Sequence, residues 1–195
     1  HPIYTPSAAD ITAGAVTLTI TATPAAPCTA VSDAMVLNIN RQATVNAGAD
    51  ATICETAGTY TISGATAAHA TAYLWATSGT GTFDDATTLN PVYTPSVADI
   101  TAGAVTLTIT ASSAAPCSDA SDSLVLNINR QATVNAGADA TICETAGSYT
   151  LAGAVASHAT AYLWTTSGTG NFNNATTLNP VYTPSAADIA AGTVT

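Results

Sequence analysis

The sequence predicts an all-β fold: tandem antiparallel β-sandwiches strung into an extended array. Three observations carry that prediction: a close internal repeat, short strands that alternate apolar residues with threonine, and the lack of any sustained helical period. The repeat has a period of 89 residues. Tyr4, Tyr93 and Tyr182 recur in step, as do Trp75 and Trp164, Cys28 and Cys117, Cys54 and Cys143, and Arg41 and Arg130. Residues 42–106 match 131–195 at 53 of 65 positions without insertion or deletion. Such a period exceeds the roughly 20–45 residues of a solenoid repeat and suits a small β-sandwich domain. Closeness of this degree implies recent duplication, and so an array; an enzyme has little use for two near-copies of one domain in series.

The strands follow from period-2 alternation. "VTLTIT" (105–110) sets Val105, Leu107 and Ile109 on one face and threonines on the other. "SLVLNIN" (123–129) does the same with Leu124, Leu126 and Ile128, "TYTISG" supplies Tyr60 and Ile62, and "AYLWATSG" supplies Tyr73 and Trp75. The 37 threonines are β-branched and keep an outer strand face wet without charge. "SAAPCSDAS" reads as a turn-rich link and "SGTGTF" as a hairpin turn. The latter is Gly-rich, but it opens no helix that could hold a phosphate. No segment keeps a 3.6-residue apolar period for ten residues, so helix is all but excluded.

The polar junction Asn129-Arg130-Gln131 and its counterpart at 40–42 hold the chain's two arginines, and there is no lysine. Placing boundaries there makes 42–130 a complete 89-residue sandwich, with 1–41 the C-terminal part of a preceding repeat and 131–195 the N-terminal part of the following one. A net charge of −10 argues against nucleic acid and against an anionic membrane surface. No stretch approaches the roughly 20 apolar residues that span a bilayer, so no membrane insertion is expected of this segment. No signal-peptide pattern follows His1.

"NAGAD-TIC", "LW-TSGTGTF", "NP-YTPS-ADI-AG" and the cysteine with "SDS" recur in register with the repeat. Across the whole chain this wording resembles the Ig-like/PKD-like tandem repeats of giant cell-surface proteins of Bacteroidota, and is most similar to the repeats of gliding-motility adhesins of the SprB type. The resemblance implies an extracellular β-sandwich stalk, exported by type IX secretion and held at the outer membrane as a filament. Its implied partners are neighbouring repeats of the same chain, other filaments and surface polysaccharide. It brings no catalytic residue and no cofactor. Many bacterial surface Ig-like domains carry Lys–Asn/Asp isopeptide crosslinks; a chain without lysine cannot make them.

Two cysteines per repeat suggest a disulfide framework in an oxidising compartment. They are isolated, with no CxxC partner for zinc. Three alternatives stand open: an intradomain Cys54–Cys117 bond, an interdomain staple in which Cys28 and Cys143 belong to neighbouring links, or reduced thiols. The bond within the domain is the first expectation; Ig topology, which sets the two positions near opposite poles, opens the staple, with the partner of Cys54 near position 206. Asp84 and Asp85 form the one acidic doublet, a candidate for Ca²⁺ or for acid–base work. Their counterparts Asn173 and Asn174 keep oxygens and lose charge, so a turn is the preferred reading. Asp50 and Asp139, just past the junctions, are a second Ca²⁺ candidate. His69 and His158 precede the Trp strand without a nucleophile motif or a metal-spaced partner and read as loop residues. Trp75 and Trp164 read as core residues rather than carbohydrate-stacking platforms. Asp122-Ser123-Leu124 fits an Asp-Ser/Thr-apolar O-glycosylation pattern at Ser123, whereas the earlier copy, Asp33-Ala34-Met35, lacks the hydroxyl. The functional expectation is a structural stalk segment of a giant adhesin engaged in surface adhesion and gliding. The alternative is direct polysaccharide or ice binding by the threonine rows.

Overall fold

The computed structural model describes residues 2–195; His1, which stands where later copies have Asn90 and Asn179, lies outside the described residues. The chain divides into two compact units, 1–129 and 130–195. In chain order the first unit runs α1 (Ala8–Ala13), β1 (Ala15–Ala22), β2 (Val31–Asn38), β3 (Thr44–Asn46), β4 (Ala51–Cys54), β5 (Tyr60–Thr61), β6 (Thr66–Ala68) and β7 (Ala72–Thr77). It continues with β8 (Thr82–Phe83), β9 (Val92–Thr94), α2 (Val97–Ala102), β10 (Ala104–Ser112) and β11 (Ala120–Asn129).

Residues 42–129 make a β-sandwich. One layer is ordered β4-β11-β10-β7, with β4 parallel to β11 and the other pairs antiparallel. The other consists of β3-β6 and β5-β9-β8. An early strand lying parallel beside the last one, with the preceding strand on its far side, is an immunoglobulin-like arrangement. Alternation does what the sequence requires of it. Val105, Leu107, Ile109 and Ala111 of β10 and Leu124, Leu126 and Ile128 of β11 are buried, while the intervening threonines lie outward. They close on Trp75, Ile62 and Tyr93 to form the core.

The hairpin β1–β2 repeats the register of β10–β11, with Ile20 opposite Asp33 as Ile109 is opposite Asp122. Its apolar residues nevertheless stand in solvent: Ile20 is 74% exposed where Ile109 is 0%, and Met35 58% where Leu124 is 1%. Pairing is set locally by strand pattern and turn, whereas burial needs the second layer, which only 42–129 supplies.

The second unit contains β12 (Thr133–Asn135), β13 (Tyr149–Thr150), β14 (Val155–Ser157), β15 (Asn171–Phe172), β16 (Val181–Thr183) and α3 (Ala186–Ala191). It forms the pairs β12-β14 and β13-β16-β15. An open trough of about 360 Å³ is lined by Val134, Leu163, Trp164 and Leu178 among others. At the corresponding place in the first unit, β10 and β11 pack on β3.

Two expectations need correction. Among the described residues three six-residue helices interrupt the strands, each opening on a Ser/Asp capping box (Ser7/Asp10, Ser96/Asp99, Ser185/Asp188) and closing on a glycine with φ of 77–81°. A helix this short never displays a 3.6-residue period; its caps hold it. "SGTGTF" is also not a hairpin turn. β7 pairs with β10 and β8 with β9, so residues 78–81 cross from one layer to the other.

Candidate functional site

What holds that crossing is Asp99, 2% exposed. Its Oδ2 accepts from the Tyr93 hydroxyl at 2.7 Å and from the N–H groups of Gly81 and Ser96 at 2.9 Å each, and its Oδ1 accepts from the N–H of Thr80 at 2.9 Å. One carboxylate thereby joins strand β9, helix α2 and the Gly-rich crossing. A Cβ at Gly79 would collide with this carboxylate, and one at Gly81 with the Tyr93 hydroxyl, which explains "GTG". Burial pushes the Asp99 carboxyl up, but the N–H groups of Ser96 and Thr80 and the Tyr93 hydroxyl outweigh it and hold it below the usual carboxylate range. The second unit repeats the knot at Asp188, where the Tyr182 hydroxyl leads the hydrogen bonds that hold the carboxyl well below that range. Periodicity overlooks Asp99; the Ser-x-x-Asp cap in "PSVADI" was the signal that could have found it.

The second built feature is the 40–43 junction. The Asn40 side-chain amide donates to the Ala115 carbonyl and Gln42 Nε2 donates to Ser118 Oγ at 3.1 Å. The Ala43 N–H donates to Ser113 Oγ at 2.9 Å, and the Cys117 thiol donates to the Asn40 carbonyl at 3.3 Å. Ser113 and Asp119 fix the turn itself, through Ser113 N–H to Asp119 Oδ1 at 2.9 Å. The chain is thus gripped by the β10–β11 turn as it passes into the sandwich. Past the junction, the Ala47 N–H donates to Asp122 Oδ2 at 2.9 Å, and the Val125 N–H donates to Asp50 Oδ1 at 2.8 Å.

These bonds relocate several sequence candidates. Asp50 spends an oxygen tying β4 to β11, while its counterpart Asp139 is exposed. Asp84 Oδ1 accepts from the N–H groups of Val92 and Asp85, each at 2.7 Å, and Asp85 Oδ1 accepts from the N–H and hydroxyl of Thr87. Asn173 and Asn174 make the same bonds with neutral oxygens, so the position asks for an acceptor and not for charge. Among the described residues, no three His, Cys, Asp or Glu side chains gather as a metal group. His69 and His158 are exposed, in left-handed backbone with φ of 59° and 56°. Ser123 is exposed on β11 opposite Thr108. Trp75 is 3% exposed, donates Nε1–H to the Leu89 carbonyl at 3.3 Å and lies 6.0 Å from the Phe83 ring. Trp164 makes the matching bond to the Leu178 carbonyl but is only half-buried.

The intradomain cysteine pair does not survive the geometry. Cys54 lies opposite Asn129 at the end of β11, whereas Cys117 sits in the turn before that strand begins at Ala120. At about 3.3 Å per strand residue the two are roughly 30 Å apart, against the less than about 7 Å that a disulfide spans between Cα atoms. Cys28 and Cys143 are exposed.

By strand order and core, the chain belongs to the all-β sandwiches of immunoglobulin-like type. No protein-family model and no curated protein matches it. Among solved structures it is similar to extracellular cadherin domains 1–4 of protocadherin gamma B7, at 9% identity and a TM-score of 0.43 over 90% of this chain. The chain spans 50% of that solved chain's length.

Proposed function

We propose that the chain is a stalk segment of an extracellular adhesion filament, residues 42–130 being one whole link between parts of two others. The observation that carries this reading is the path of the chain through the link. It arrives gripped by the β10–β11 turn at 40–43 and leaves at Asn129, the far end of β11. Links that receive the chain at one pole and release it at the other, in an 89-residue sequence repeat, build an extended filament. The role is mechanical, without catalysis. The resemblance of the repeat wording extends the proposal to a SprB-type gliding adhesin exported by type IX secretion and attached at the outer membrane. The test is antibody labelling of intact source cells, with surface spreading of a strain lacking the gene. Surface label and lost spreading are expected; label reached only after lysis overturns the reading.

A second reading rests on the outer face of β10 and β11, where Thr108 and Thr110 lie opposite Ser123 and Ser121. A flat hydroxyl face of this kind suits polysaccharide or ice. Glycan arrays and ice-recrystallisation assays distinguish it from a passive stalk.

A further inference from the structure

Each link carries two cysteines at opposite poles, and the repeat brings them together at every junction. Cys54 pairs with Asn129 in the parallel ladder of β4 and β11. Asn129 is the 89-residue counterpart of Asn40. Asn40, in turn, is where the thiol of Cys117 rests, 3.3 Å from its carbonyl oxygen. In a continuous array the preceding link therefore presents its Cys54-position cysteine beside Asn40 from the strand side. The following link presents Cys117 to the same residue from the turn side.

We infer that Cys117 forms a disulfide with the cysteine that the preceding link holds at the Cys54 position, across Asn40. The inference rests on the reading of the chain as part of an array. Neighbouring strands lie about 4.8 Å apart, so the strand cysteine stands one strand spacing from Asn40 while the Cys117 sulfur already touches it. A disulfide asks for about 4.4–6.8 Å between the two cysteine Cα atoms, and closing it draws the turn and the strand end together beside Asn40. The turn is held in place for the purpose by Asn40 on Ala115, Gln42 on Ser118 and Ala43 on Ser113.

The strand cysteine carries a hydroxyl donor on its sulfur. The Thr56 hydroxyl donates to Cys54 Sγ at 3.1 Å, and Thr145 to Cys143 Sγ at 3.2 Å. That hydroxyl bond holds the Cys54 thiol below its usual value, favouring the thiolate that attacks disulfides. The strand thiolate attacks the disulfide of an oxidant, an envelope thiol–disulfide oxidoreductase or oxidised glutathione, and one sulfur of the oxidant leaves as a thiolate. The Cys117 thiolate then attacks the strand-cysteine sulfur of the mixed disulfide and expels the oxidant's other sulfur. Two protein thiols become one disulfide, and the two protons they give up pass to the oxidant's two sulfurs, which end as thiols. With one cysteine facing each way per link, every junction closes covalently.

The test uses the chain's own scarcity of cleavage sites, since Arg41 and Arg130 are its only arginines and there is no lysine. The full chain is extended ahead of His1 by a copy of residues 42–89, which completes the first link. It is then oxidised with glutathione disulfide, alkylated, unfolded and cut with trypsin. The expected result is that the first two 89-residue fragments run together without reductant and separate with dithiothreitol. Cys117→Ser should abolish the joined band, and Cys28→Ser should leave it intact. Separate fragments without reductant overturn the inference, whether each holds its own bond or all cysteines take the alkylating agent. Loss of the band in Cys28→Ser as well as in Cys117→Ser also overturns it. The digest reads connectivity wherever the protein resides, so surface labelling fails or succeeds independently of it.

Discussion

Asp99→Asn removes one charge from the crossing knot and replaces an acceptor oxygen with an NH₂ donor. Four donors converge on the carboxylate, three on Oδ2 and one on Oδ1. In its best orientation the asparagine places its oxygen where Tyr93, Gly81 and Ser96 donate and turns its NH₂ toward the Thr80 N–H. One buried donor is then unsatisfied, at a cost of about 1–3 kcal/mol, and three charge-assisted bonds weaken toward the neutral range by roughly 1 kcal/mol each. The expected loss is about 4–6 kcal/mol, a large share of the roughly 5–15 kcal/mol that holds a domain of this size. Urea unfolding of the chain in a Trp164→Phe background, with Trp75 fluorescence as the signal, measures it directly. A midpoint unchanged within about 1 kcal/mol would refute the claim that Asp99 locks the crossing.

The remaining predictions use the same assay. Because the Asp99 and Asp188 carboxyls are held low, their stabilisation is fully present above the ordinary carboxylate range near pH ~3.9. It is lost as pH falls through their folded values; the midpoint should hold from pH 7 to 5 and drop below about pH 4, with a shallower drop in Asp99→Asn. Asp84→Asn with Asp85→Asn should change stability by no more than about 0.5 kcal/mol, since the second unit already makes these bonds with asparagine; a loss above ~2 kcal/mol would restore a need for charge. Ile109→Ala should cost about 2–5 kcal/mol and Ile20→Ala close to nothing, although the two occupy one repeat position; equal costs would contradict the burial difference. Gly81→Ala should cost roughly 1–3 kcal/mol by crowding the Tyr93 hydroxyl, and an unchanged midpoint would show that the crossing can shift aside.

The strands were legible because their signal is local. The alternation in "AVTLTITAS" and "SLVLNIN" marks β10 and β11 and their buried face before any partner is known. The Trp strand and the 89-residue repeat were equally plain. What eluded the sequence was whatever depends on two distant segments. Asp99 reads as an ordinary cap until Thr80 and Gly81 are seen to donate to it from the crossing. The "SGTGTF" turn was misjudged because Gly and Ser mark a change of direction without saying which strand receives the chain. Cys54 and Cys117 made a natural pair by count, and only the length of β11 separates them. Repetition in sequence also gave no hint that Ile20 and Ile109 would differ, because burial depends on the opposing layer.

The parallel pairing of β4 with β11 gives the 42–129 sandwich a direction of strength. The chain comes in beside the turn that precedes β11 and goes out from that strand's other end, so tension drags β4 one way and β11 the other along their common axis. The ladder from Ala51 to Cys54 and the Asp50–Val125 bond beside it are then loaded together in shear, where an antiparallel hairpin pulled at its open end would unzip bond by bond. A sandwich so built stays nearly rigid under a pull along that axis and gives way only when the whole ladder slides at once.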